Sequence, residues 1–132
     1  MIRLTLAATL IPALAAAQPV LTCNFTQECY GEEACQETGY EVSIEKDEAG
    51  LLDFVDPSAT VPQASGPNDV DADEFGPVTV YTFVTEKVGE DDIQTHHALA
   101  VVTETGQANL QTLITDVPLQ SILYTGTCEE AE

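Results

Sequence analysis

Four cysteines are the residues best suited to chemistry: Cys23, Cys29 and Cys35 form a C-x5-C-x5-C run, and Cys128 lies near the end of the chain. Zinc sites favour close pairs such as C-x2-C, because two thiolates must reach one small ion. Redox centres use C-x-x-C, where one thiol can resolve a mixed disulfide on the other. Neither spacing is present, and no histidine lies near the run. Two structural disulfides remain as the reading. Three connectivities are open. Cys23–Cys128 with Cys29–Cys35 is favoured, because it joins the first and last strands and staples the segment between two early ones. A crosslink closing about 100 residues stabilises by roughly 4–5 kcal/mol on the chain-entropy argument.

The next group is acidic. Asp69, Asp71 and Asp73 alternate within NDVDADE, residues 68–74. Alternating carboxylates in a loop can converge on one hard cation, so weak calcium binding by these three residues is one expectation. An EF-hand is excluded: position six would be Glu74 where glycine is needed, and position twelve Val80 where a bidentate glutamate is needed. A solvated acidic loop is the plainer reading. Glu90-Asp91-Asp92 and His96-His97 cluster near an expected turn, and carboxylates with imidazoles can ligate a transition metal. Adjacent side chains on a strand point to opposite faces, however, so two neighbouring histidines on a strand cannot share one site. No G-x-S-x-G surrounds Ser43, Ser58, Ser65 or Ser121, and with 23 acidic residues no carboxylate pair stands out. No catalytic residue and no cofactor are assigned, and a non-enzymatic role is expected. Asn24-Phe25-Thr26 matches the N-x-T acceptor pattern, which matters only in a host that glycosylates it.

The elements that must position these groups follow from composition and periodicity. Arg3 followed by an uncharged apolar stretch to Ala15-Ala16-Ala17 reads as a signal peptide over residues 1–17. The apolar run is shorter than the roughly 20 residues of a membrane span. Residues 18–132 then form one domain, exported to the periplasm or secreted, where disulfides persist. Export would leave two lysines against 23 acids, a net charge of −21. Such a chain repels phosphates, which excludes nucleic acid as a partner and disfavours anionic membranes. It attracts cations and basic proteins.

Alternation with period two dominates. It places strands at 20–25, 39–46, 51–55, 77–86, 97–104, 107–115 and 119–128, with turns at Glu48-Ala49-Gly50 and Thr105-Gly106. Residues 27–37 are the best candidate for a helical turn. Residues 56–77 hold four prolines and two glycines and read as a long loop, with a short edge strand conceivable near Thr60-Val61. The fold class is all-β: a single small antiparallel β-sandwich or barrel of about seven or eight strands with two disulfides.

The ends of the chain carry a resemblance. CNFTQECYGEEACQETGY with EVSIE, and the closing ILYTGTCEE, resemble a group of small exported alphaproteobacterial proteins without an assigned activity. The matching residues are Cys23, Phe25, Cys29, Cys35, Tyr40, Tyr124, Gly126 and Cys128. The resemblance implies an exported β-rich domain bracketed by C-x-F and Y-x-G-x-C, and implies no catalytic residue. The general layout is also similar to small periplasmic lysozyme-inhibitor barrels. The expected function is therefore binding of a basic protein or a small ligand, through loops 66–76 and 89–97. Inhibition of a cationic enzyme such as lysozyme, and weak calcium binding, are the alternatives.

Overall fold

A computed structural model describes residues 18–56, 70–86 and 93–131. Among them are eight strands: β1 Gln18–Tyr30, β2 Gln36–Lys46, β3 Leu52–Val55, β4 Asp71–Phe75, β5 Val78–Glu86, β6 Gln94–Val102, β7 Gln107–Ile114 and β8 Gln120–Glu130. All pairings are antiparallel, in the order β3-β2-β1-β8-β7-β6-β5-β4. Every strand except β3 and β4 therefore has a neighbour on both sides. Those two approach across a seam, where the Val70 N–H donates to the Leu52 carbonyl at 3.3 Å. The rings of Phe54 (β3) and Phe83 (β5) stack 4.3 Å apart across the same gap. The result is a nearly closed, barrel-like sheet that follows the chain up and down. The first and last strands, β1 and β8, are joined by a ladder in the middle of that order.

The alternation read from the sequence becomes the inner and outer walls. Leu21, Cys23 and Phe25 on β1, Val42 and Ile44 on β2, Leu99 and Val101 on β6, and Ala108 and Leu110 on β7 are buried together. Each large aliphatic or aromatic side chain removed from water in this way stabilises by about 1.5–3 kcal/mol. Cys23 lies directly opposite Cys128 on β8, and the two form a disulfide within that core. Cys29 and Cys35 form the second, across the β1–β2 hairpin.

The two ends of the barrel differ. At one end β2–β3, β4–β5 and β6–β7 are joined by tight turns holding Gly50, Gly76 and Gly106, each at positive φ. At the other end lie the stapled β1–β2 hairpin, the β7–β8 connection through Val117 and Leu119, and the points where β3 and β5 end. We call these the turn end and the loop end.

Two expectations are corrected. Residues 27–37 form no helical turn: β1 continues to Tyr30, and a short turn leads into β2 at Gln36. Asp71–Phe75, read as loop, is a strand paired with β5. Its backbone is extended by pairing with a β-branched neighbour rather than by its own residues, all five of which are exposed. The Thr60-Val61 edge strand lies outside the described residues.

Candidate functional site

Toward the loop end the interior changes character. Inward positions there hold Tyr40 on β2, His97 on β6, Thr112 on β7 and Tyr124 on β8, where the lower core holds aliphatic side chains. Tyr40 and Tyr124 stack with ring centroids 4.7 Å apart. Phe25 lies beside both, at 6.1 Å from Tyr40 and 5.9 Å from Tyr124. Offset aromatic packing of this kind adds to simple burial.

Each phenol is tied to the rim. The Tyr40 hydroxyl donates to Asp56 Oδ2 at 2.6 Å, just beyond the end of β3. Burial, and then this bond to a carboxylate, push the Tyr40 phenol up from its ordinary value. Tyr124 is pushed up to about 12, by burial first and then by Tyr30, Glu28 and Asp56 nearby. On β1, Glu28 pairs directly with Tyr124, and Tyr30 lies two residues farther along the same face. Burial, with the charge of Glu28 and a hydrogen bond to it, raises the Tyr30 phenol. All three phenols are thus neutral proton carriers near neutral pH.

His97 occupies the opposite wall of this layer. Its Nε2 lies 3.0 Å from Thr85 Oγ1 and its Nδ1 lies 3.0 Å from Thr112 Oγ1, so both ring nitrogens are engaged. Hydroxyls both donate and accept, so neutral imidazole satisfies the pair. The ring also stacks on Phe83 at 4.6 Å and lies 5.7 Å from Phe54. Burial, then the neighbouring His96, lower His97 to about 4, while Asp56 acts in the opposite direction.

His96 and His97 lie on β6 rather than in a turn, and alternation separates them. His96 is exposed on the outer wall between Val84 and Leu113, while His97 faces the core. Glu90-Asp91-Asp92 lie outside the described residues. So does Asp69. Asp71 and Asp73 are exposed on β4, opposite Thr82 and Val80, with their side chains on the outer wall. An extended strand spreads these two carboxylates along one face instead of wrapping them around an ion. Among the described residues no group of three or more His, Cys, Asp or Glu is placed to hold a metal ion.

The outer wall is divided by charge. Outward positions on β2 and β4 carry Glu37, Glu41, Glu45, Asp71 and Asp73. Outward positions from Val78 to Val84 on β5, throughout β6 and β7, and from Ser121 to Thr127 on β8 carry no Asp, Glu, Lys or Arg. Where β1 and β2 bulge, an open depression on the outer wall is lined by Thr26, Gln27, Glu37, Thr38 and Thr125.

Tyr40, Tyr124 and Asp56 read as strand core and loop start in the sequence. Their only signal is inward aromatic positions near strand ends beside an acid. Fold and site define a meander-ordered, eight-stranded β domain with an acidic half and a polar, aromatic mouth. Compared with protein-family models, curated proteins and solved structures, the chain matches none of them. No helix among the described residues is long and apolar enough to cross a membrane.

Proposed function

We propose that this is an exported, acidic β domain that binds a cationic partner through the β2–β4 side of its barrel, without performing chemistry on it. The observation that carries this reading is the division of the outer wall. Among the described residues, the acids at outward strand positions gather on the β2–β4 side. Glu129 at the turn end of β8 stands apart, and none lies outward from Val78 to Val84 on β5, on β6 or β7, or from Ser121 to Thr127 on β8. A uniform solubilising charge would have no reason to avoid this contiguous stretch of four adjacent strands, whereas a basic surface is attracted to one side. A packed core among the described residues, with Phe25, Ile44, Leu99 and Leu110 fully buried, further supports recognition by surface. Two disulfides and the signal-like start of the sequence support the periplasm or the extracellular space.

The test is binding to lysozyme and to cytochrome c, both basic, at low and at physiological salt. Binding at low salt that weakens as the screening length falls from about 30 Å to about 8 Å is expected. Reversing Glu41, Glu45 and Asp73 to lysine abolishes it, while Asn109→Lys with Gln111→Lys on the uncharged wall leaves most of it. No binding to either protein at low salt, or equal loss from both sets of variants, overturns the reading. Slower lysis in the presence of the domain would identify inhibition of lysozyme itself.

A further inference from the structure

We propose that the loop-end mouth is a binding site for an organic cation, an ammonium or guanidinium head seated against Tyr124 between the carboxylates of Glu28 and Asp56. The inference rests on the reading that the partner is cationic and gives that partner a specific point of entry.

The geometry supplies both parts of such a site. Tyr124 and Tyr40 stack at 4.7 Å and Phe25 backs both, which makes a rigid aromatic surface. The negative face of an aromatic ring attracts diffuse organic cations, and quaternary ammonium heads are recognised in this way. Glu28 stands directly opposite Tyr124 in the β1–β8 ladder. Asp56 is held at the other side by the Tyr40 hydroxyl at 2.6 Å. Tyr30, on the same face as Glu28, is 40% exposed at the rim, so the aromatic lining continues outward to solvent. Lys46, the only Lys or Arg among the described residues, sits at the turn end of β2, away from this mouth. An aromatic surface flanked by two carboxylates suits a bulky, weakly hydrated cation better than a bare metal ion, which would want converging oxygens.

The experiment is titration of the disulfide-bonded protein with choline chloride, followed by calorimetry and by tyrosine fluorescence. The chain has four tyrosines and no tryptophan, so three of its four intrinsic fluorophores lie at this site. The neutral isostere 3,3-dimethylbutanol and sodium chloride at matched ionic strength are the controls. Saturable choline binding, about tenfold tighter than the isostere and weakened about tenfold in Glu28→Gln and in Tyr124→Leu, is expected. Glu28→Gln keeps the shape of the side chain and can still accept from Tyr30, and an unchanged far-UV circular dichroism spectrum and melt separate lost charge from lost fold. Equal response to choline and the isostere, no saturable response, or full binding in Glu28→Gln overturns the proposal.

Choline that displaces immobilised lysozyme would show that the head group comes from a partner's side chain. Choline binding without displacement would show a free small cation. Lysozyme binding without choline binding overturns this site and leaves the acidic-wall reading standing. Choline binding without basic-protein binding does the reverse.

Discussion

Gly126 on β8 lies directly opposite Phe25 on β1, and the two backbones leave no room for a side chain at Gly126. A Cβ placed there would overlap the Asn24 carbonyl oxygen and stand 2.6 Å from Phe25 Cα. The contact falls where β1 carries an extra residue against β8, between Phe25 and Gln27. Bulges tighten local twist and bring backbones together, so glycine here makes close approach feasible. Gly126→Ala is therefore expected to cost about 1–3 kcal/mol, the usual range for overpacking. Urea unfolding followed by far-UV circular dichroism measures it. A variant as stable as the parent would mean that the two strands part at this bulge without cost.

The two disulfides are expected to contribute unequally. Cys23–Cys128 spans 105 residues and Cys29–Cys35 spans 6. Loop-closure entropy assigns about 5 kcal/mol to the first and about 2 kcal/mol to the second. Cys23 and Cys128 are also part of the buried core, whereas Cys29 and Cys35 sit at a hairpin tip. Paired alanine variants should separate clearly in urea melts, with Cys23→Ala/Cys128→Ala much the weaker protein. Equal losses would show that the long crosslink acts on a denatured state that is already compact.

His97 makes stability depend on pH in a defined window. Its folded value, about 4, lies below the ordinary 6.5, so the unfolded chain binds this proton more readily than the folded one. The contribution is complete above about pH 6.5, declines as pH falls toward 4, and levels off below that. A shift of this size corresponds to about 3 kcal/mol. His97→Gln keeps the hydrogen-bonding reach toward Thr85 and Thr112 and should flatten the slope of stability between pH 6.5 and 5. A direct check is the imidazole resonance of His97, which should titrate well below that of a free histidine. A midpoint near 6.5 would mean the ring is hydrated.

Much of this was legible before the fold was known, because it rests on local alternation. Val42 and Ile44 against Glu41 and Glu45, or Leu99 and Val101 in HALAVVTE, declare their faces by residue type alone. The Cys23–Cys128 pairing followed from the expectation that the first and last strands are neighbours, and they are. Strand β4 was hidden because Asp71–Phe75 carries no apolar face; only its pairing with β5 makes it a strand. The loop-end cluster was hidden for a different reason. Tyr40, Asp56, His97 and Tyr124 come from four distant segments, and each is locally indistinguishable from an ordinary strand or loop residue. Choice between sandwich and barrel depended on the β3–β4 seam, where the described residues show a backbone bond and a ring stack rather than a ladder.

That seam should be the first part of the barrel to open. Every other junction between adjacent strands is a ladder of several paired residues, and β1–β8 is crosslinked as well. Across the β3–β4 seam, among the described residues, the bond from the Val70 N–H, just before β4, to Leu52 at 3.3 Å stands with the stack of Phe54 on Phe83 of β5. Local opening costs least where buried contacts and hydrogen bonds are sparse. The Val70 amide is therefore expected to exchange with solvent deuterium well before the amides of Cys23 and Leu110. Phe83→Leu removes the stack while keeping an apolar side chain in the core. It should speed exchange at Val70 far more than at Cys23, with a modest loss of global stability. Uniform acceleration at all three amides would show instead that the barrel opens as one unit and that the seam is no weaker than its ladders.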